Sequence, residues 1–310
     1  MSKIPVWIDC DPGVDDAAAI ILAADRKELN ILGISTVAGN VPLSLTTANA
    51  LKLGDLVGQA YPVYAGADRP LLRPYHDGRD FHGAEGFGPA ALPVSLRQAE
   101  EEKAWEGLYA AAKANPGTLE LVTMGPLTNI AIALETYPDL PKLVHRILMM
   151  GGSVTRGNRT PCAEYNIFAD PEAAQAVFRS GIPIVMCGLE VTEQAYILPE
   201  EWAALEDSFS EKTRFFHKAS KHILEKNLEN GHSGFCIHDA VPIFYLVHPE
   251  LFEGETAGVF VETQSDLTLG KTVTDLFSDR QFEEKNAFVV LKIDREAFLL
   301  ALLHALEKED

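Results

Sequence analysis

Positive charge is the scarcest resource in this chain. Its 26 Lys and Arg stand against 45 Asp and Glu, a formal net charge of −19. No basic cluster offers the footprint that displaces counterions from nucleic acid, so no nucleic-acid partner is expected. Cysteine is sparse as well: Cys10, Cys162, Cys187 and Cys236 are scattered with no C-x-x-C pair. They read as reduced, mostly buried thiols of a cytoplasmic protein. No uninterrupted apolar run is long enough to cross a bilayer, and Met1 to Pro5 lead into the first strand without an apolar targeting region. Internal repeats, low-complexity tracts and flexible linkers are also missing. What is left is an ordinary globular composition, 47% hydrophobic and 23% charged over 310 residues, enough for a large core.

The densest signal stands at the front. Val6-Trp7-Ile8 reads as a buried strand, and Ala17-Ala18-Ala19-Ile20-Ile21-Leu22 as a helix. Between them Pro12-Gly13 forces a tight turn, and Asp9, Asp11, Asp15 and Asp16 place four carboxylates within eight residues. One Asp in such a turn is a helix cap. A cap does not need the other three. Four anions this close repel one another and raise their own pKa values unless a cation or strong hydrogen bonds hold them ionised, although Asp15 and Asp16 gain from the helix dipole.

Strand-like and helix-like segments then alternate. Strands are expected at residues 31–37, 61–64, 119–122, 147–150, 182–186, 258–261 and 287–291. Helices are expected near residues 48–57, 101–114, 127–134, 171–179 and 239–247, and from about Arg295 to the end. Apolar strands joined by crossover helices predict an α/β fold: one domain over 1–310 with an open, mostly parallel, Rossmann-like sheet covered by helices on both faces. Residues 67–96 break the alternation. Their low periodicity, the glycines of Gly83-Ala84-Glu85-Gly86-Phe87-Gly88 and the aromatics Phe81 and Phe87 predict a flap.

In such a sheet the strands' carboxyl ends open onto one crevice, so polar residues just after strands should meet. They are Asp9 and Asp11, then Asn40, then the stretch Thr123 to Asn129, then Met150-Gly151-Gly152 leading to Asn158 and Glu164-Tyr165-Asn166, and finally His238-Asp239. This inventory is carboxylates, carboxamides and one histidine. Hard oxygen donors select calcium or magnesium over zinc, and mixed carboxylate and carbonyl coordination favours calcium. Amide and carboxylate groups also suit sugar hydroxyls, while the lack of cations argues against a phosphorylated ligand. Taken singly, Asp239 reads as a helix cap, and Asn158 and Asn166 as turn residues. Gly270-Lys271-Thr272 lacks the first glycine of a phosphate loop, since Ser265 stands there. His217 and His222 are expected to be solvated on a helix.

The order of these motifs, with the segment Asp9-Cys10-Asp11-Pro12-Gly13-Val14-Asp15-Asp16 and the His82-Gly83 flap, resembles the inosine–uridine-type nucleoside hydrolases over nearly the whole chain. The resemblance implies the nucleoside hydrolase fold and calcium-dependent cleavage of ribonucleosides to free base and ribose. It implies a calcium site made by Asp11, Asp16, Asp239 and the Met124 carbonyl, with Asp11 as the base that activates a calcium-bound water. It gives Asp15, Asn40, Asn158, Glu164 and Asn166 to the ribose, with Met150 lining the sugar pocket. His238 would assist departure of the base, and His82 would lie near the base in the flap. Homodimers or homotetramers are common in the family. Two other readings compete: a haloacid-dehalogenase-type phosphatase, whose Asp-x-Asp motif the first segment partly imitates, and a non-catalytic nucleoside- or ribose-binding protein. The preferred base is not encoded in any of these motifs.

Overall fold

A computed structural model describes residues 3–276 and 282–308. Eleven strands lie within them: β1 (Ile4–Cys10), β2 (Leu29–Thr36), β3 (Val63–Ala65), β4 (Leu119–Thr123), β5 (Val144–Met150), β6 (Ile184–Cys187), β7 (Tyr196–Ile197), β8 (Phe235–Cys236), β9 (Phe252–Val261), β10 (Thr272–Asp275) and β11 (Ala287–Ile293). Nine form one sheet in the order β10-β9-β11-β6-β5-β4-β1-β2-β3. From β3 to β11 the pairs are parallel. Only β9 runs antiparallel, against both β11 and β10. The mostly parallel α/β sheet expected from the sequence is therefore present, with an antiparallel edge. β7 and β8 pair separately as a short ribbon.

The chain leaves β1 towards β2 and β3, then returns to the other side for β4, β5 and β6. The switch point lies between β1 and β4, where open α/β sheets leave a crevice at the strands' carboxyl ends. Asp11 and Met124 follow those two strands directly.

Each sheet face carries its own apolar layer. On one, the helix Val14–Asp25 packs against Glu211–Glu229, Ala240–Val247 and Arg295–Glu307. Its alanines and aliphatics are buried all round, from Ala17 to Ala23, because helices cover it from several sides. The other face packs Ala104–Ala114, Thr128–Thr136 and Pro171–Phe178 around Leu121, Ile147 and Met149. Fully buried side chains such as Phe216, Phe298 and Ile8 each contribute roughly 1.5–3 kcal/mol.

Several boundaries differ from expectation for local reasons. The short strand reads Val63–Ala65 rather than 61–64, since Tyr61 turns inward and its hydroxyl donates to the Ala50 carbonyl. The expected strand 258–261 begins at Phe252, because antiparallel pairing with β11 extends it. The strand Thr272–Asp275 was hidden in the rejected phosphate-loop segment. There Lys271 Nζ donates to the carbonyls of Ser153, Val154 and Thr155. The last helix ends at Glu307, and residues 309 and 310 lie outside the described residues. Among the described residues no helix is long and apolar enough to cross a membrane.

Trp7 shows how tightly the central strands fit. Its indole donates to Ser35 Oγ at 2.8 Å, and a Cβ on Gly33 would come within 2.6 Å of its ring. Gly33→Ala should therefore lower the unfolding free energy by about 1–3 kcal/mol through overpacking. An equilibrium urea titration measures this, and an unchanged midpoint would show that the ring is free to shift.

Candidate active site

The site grows from the turn after β1. Pro12-Gly13 reverses the chain so that the next helix starts at Val14, with Asp15 and Asp16 in its first turn. Asp16 folds back over the turn: its Oδ1 accepts from the Asp11 amide at 3.2 Å and its Oδ2 from the Gly13 amide at 2.9 Å. Asn40, after β2, braces the same turn. Its backbone amide donates to Asp11 Oδ2 at 2.7 Å, and its Nδ2 to the Asp11 carbonyl and to Asp16 Oδ2, both at 3.1 Å. The Asp11 carboxylate fills a notch between two glycines. A Cβ on Gly39 would stand 2.0 Å from Asp11 Oδ2, and one on Gly125 2.6 Å from Asp11 Oδ1.

Asp239 arrives from the opposite side, at the start of the helix Ala240–Val247. It occupies the cap position, but its side chain makes no capping hydrogen bond. The helix-cap reading of Asp239 therefore fails, and its carboxylate is free to turn to the cluster. Asp15, Asp16 and Asp239 each bring an oxygen within 4.8 Å of the others, the separation a shared metal ion requires. Asp11, expected in that group, stands beside it with one oxygen bound to the Asn40 amide. Asp15, expected only at the sugar, is inside it. Asp9 is a separate matter. It lies beneath the floor, bonded to Ser35 Oγ and to Asn129 Nδ2, and Asn129 in turn accepts from the Ala67 amide at 2.8 Å.

Electrostatics identify what the cluster lacks. Burial, with mutual repulsion, pushes Asp15 up to about 7. Asp16 is raised to about 6, chiefly by burial. Burial and the neighbouring carboxylates raise Asp11 and Asp239 as well. Among the described residues no Lys or Arg pairs with any of the four. Asp11 Oδ1 and Asp15 Oδ1 are buried without a hydrogen-bond partner, and buried polar atoms left unpaired are rare. A divalent cation satisfies both demands, supplying charge and ligation to an all-oxygen donor set. The residues fit calcium.

Above the carboxylates opens a cavity of about 1000 Å³. Asp15, Asn40, His82, Met124, Met150, Asn158, Glu164, Asn166, His238 and Asp239 all line it, so stations spread over more than two hundred residues meet in one place. Glu164 is held at the start of a short helix, accepting from the amides of Gly152, Asn166 and Ile167, and burial raises it to about 7. Asn166 Nδ2 donates to the Met124 carbonyl at 2.8 Å and to the Met150 carbonyl at 3.2 Å. Asn158 Oδ1 accepts from the Tyr165 amide at 2.9 Å. Arg156 and Lys226 stand at the rim rather than the floor, engaged by Glu193 and by the Asp80 carbonyl.

Two histidines face the cavity in neutral form. Burial lowers His238 to about 4, and its Nδ1 lies 2.8 Å from Thr192 Oγ1. Burial and two nearby histidines lower His82 to about 3, and its Nδ1 accepts from the Val14 amide at 3.3 Å. The structure corrects the expectation for His217 and His222. His217 stacks on Trp202 at 3.8 Å, and His222 meets the Phe81 carbonyl at 2.7 Å, so neither is simply solvated. Thr192 escaped the sequence reading. Its place just after β6 was the available signal, since polar residues after parallel strands converge here.

Calcium added to the chelator-treated protein should release protons, because raised carboxyl groups must ionise to bind it. The release should be larger at about pH 6 than at about pH 8, where Asp15 and Asp16 are already mostly ionised. Calorimetry in buffers of different ionisation enthalpy measures it.

Residues 6–300 match the sequence model of the family described as inosine-uridine preferring nucleoside hydrolase. The chain is 41% identical over 297 residues to the non-specific ribonucleoside hydrolase RihC of Salmonella schwarzengrund, covering 96% of this chain and 95% of that protein. It is 40% identical over 313 residues to the pyrimidine-specific ribonucleoside hydrolase RihA of a Shewanella species, covering 97% and 96%. Among solved structures it superposes on a purine-preferring ribonucleoside hydrolase from Gardnerella vaginalis with a TM-score of 0.92 at 29% identity, covering 98% of each chain. A plant nucleoside hydrolase gives the same TM-score at 30% identity, covering 99% of this chain and all of that one.

Proposed function

The chain belongs to the inosine-uridine preferring nucleoside hydrolase family, and we propose from that premise how its own residues divide the work. The reaction is hydrolysis of the N-glycosidic bond of a ribonucleoside to free base and ribose. The calcium site takes Asp16 and Asp239, with Asp15, which lies in the same group, reaching it from the sugar side, and is completed by Asp11 and the Met124 carbonyl. Asp15, Asn40, Asn158, Glu164 and Asn166 bind the ribose, with Met150 against the sugar. Bound calcium supplies a Lewis acid that lowers the pKa of water and a template for the ribose diol. The observation that carries the reading is the pair of buried, partnerless carboxylate oxygens, Asp11 Oδ1 and Asp15 Oδ1, beside the grouped Asp15, Asp16 and Asp239.

Asp11 Oδ1 takes the proton of the attacking water, which adds to the anomeric carbon as the bond to the base breaks. Attack from the face opposite the base inverts that carbon. Positive charge grows on the ribose ring in the transition state. The surrounding carboxylates and amide oxygens stabilise that charge more than the neutral substrate, which is the difference catalysis requires. On the other side His238 Nδ1 lies 2.8 Å from Thr192 Oγ1; in the reactive tautomer the hydroxyl donates to Nδ1 and the proton of the neutral ring sits on Nε2. That N–H donates to the departing base as it gains electrons. Ribose hydroxyls met by buried polar groups imply rejection of 2′-deoxynucleosides, which would leave those groups unpaired.

Residues 67–96 are read as a flap over this cavity and 1–310 as one domain. The four cysteines, none paired with another, support a reducing, cytoplasmic setting. A homodimer or homotetramer is the assembly that the family resemblance favours.

Asp11→Asn should lower kcat by about 10²–10⁴-fold, the range for loss of a general base, with the circular dichroism spectrum unchanged. His238→Ala should slow cleavage of inosine and uridine by a similar factor, yet spare 4-nitrophenyl riboside, whose leaving group needs no proton. Release of reducing sugar measures both. An active, folded Asp11→Asn would remove Asp11 from this role.

A further inference from the structure

One face of the helix Glu211–Glu229 is built as a seat for the flap. Phe215, Ala219, His222 and Lys226 follow one another at spacings of four, three and four residues, which places them in a single stripe. All four meet the segment 79–88. Phe87, buried, sets its ring edge-on against Phe215 at 5.1 Å. A Cβ on Gly88 would come within 2.7 Å of the Ala219 carbonyl and 2.3 Å of the His222 ring. His222 Nε2 lies 2.7 Å from the Phe81 carbonyl oxygen. The Nδ1 of the same ring lies 3.0 Å from the carbonyl of Ala219 in its own helix; both neighbours only accept, and the shorter contact is the one read as Nε2–H donating to Phe81. One helical turn later Lys226 Nζ donates to the Asp80 carbonyl at 2.8 Å.

Asp80 and Phe81 belong to the four-residue helix Arg79–His82; the Arg79 and His82 carbonyls accept from the amides of Gly83 and Gly88, while those of Asp80 and Phe81 have no partner within so short a helix. The long helix supplies those partners. The same short helix carries His82 into the cavity, where its Nδ1 receives the Val14 amide of the acidic turn. It is flanked by Gly83 at φ +80° and followed by Gly88 at φ +53°, conformations that other residues adopt only at a cost. The apolar contact through Phe87 lies beyond Gly83, and the polar contacts through His222 and Lys226 lie before it. Breaking these two contacts removes the short helix's fastening to the long helix while Phe87 stays seated and His82 still accepts from the Val14 amide.

We propose that His222 and Lys226 are positioning residues that latch the helix Arg79–His82 shut over the cavity, setting how tightly the substrate is held. This role rests on residues 67–96 acting as a flap, and it gives the late helix a fastening task in addition to its place in the cavity wall. Neither residue enters the chemistry. Their contribution is to keep His82 and the flap in place while the nucleoside is bound.

The test begins without substrate. Hydrogen exchange of the calcium-loaded protein should show the flap amides of 79–83 exchanging about tenfold faster in His222→Leu, the factor set by one lost charged or strong hydrogen bond. Exchange in β1 and in the helix Val14–Asp25 should be unchanged. Lys226→Met, at an exposed position, should give the same pattern and serves if His222→Leu fails to fold. His222→Gln, whose amide Nε2 donates to Phe81, should restore protection. With ribonucleoside, KM should rise about tenfold in His222→Leu while kcat stays within about twofold. Unaltered flap exchange in both loss variants would overturn the latch whatever the substrate is. Faster exchange with kcat lowered and KM unchanged would overturn its role in holding substrate.

Discussion

Four carboxylates gathered at the carboxyl end of one strand repel each other, and burial makes the repulsion worse. Asp11, Asp15, Asp16 and Asp239 are all raised well above the usual carboxylate range, by burial first and by each other in most cases. No fold retains such a group for stability. Its two partnerless oxygens and its lack of any neighbouring Lys or Arg among the described residues mark a place prepared for a divalent cation. The rest of the site depends on that preparation, because a pocket that tolerates this density of negative charge also favours the positive charge of a ribosyl transition state.

The sheet explains how the group is assembled. Asp11 and Asn40 follow β1 and β2, Met124 follows β4, Met150 ends β5, and Thr192 lies just after β6. The switch point between β1 and β4 opens the crevice they share. Glycines allow the close approach, since a side chain at Gly39 or Gly125 would displace the Asp11 carboxylate. Asp239 enters from a helix that it does not cap. The cation pocket is therefore made by the ends of regular elements rather than by long loops, which holds its oxygens in place before any ligand arrives. Residues 67–96 are the contrasting part, an irregular segment joined to the scaffold by contacts such as Arg73 with Glu172, Tyr75 with the Gly39 carbonyl and Asn49 with the Glu85 carbonyl, and by the buried Phe87.

Much of this was legible in the sequence because its signals are local. An apolar strand, a Pro-Gly turn and an Asp-rich helix start announce the first unit. The strand-end rule places Asn40, Met150, Asn166 and Asp239 in one crevice from their positions along the chain alone. What was not legible depends on packing. No spacing predicts that Asp15 rather than Asp11 comes nearest to Asp16 and Asp239, since side-chain direction at a helix start decides it. His222 read as solvated because its partner, the Phe81 carbonyl, is 141 residues away in sequence. The extension of β9 back to Phe252 likewise follows from pairing with β11, not from the composition of Phe252-Glu253-Gly254-Glu255.

Function turns on one dependence, that the buried carboxylates work only around a divalent cation. The most direct measurement is the rate of ribose release from inosine and uridine before chelation, after removal of metal by chelator and dialysis, and after calcium is restored. Release should stop on chelation and return with calcium. Release that continues undiminished in the metal-free protein would contradict that dependence.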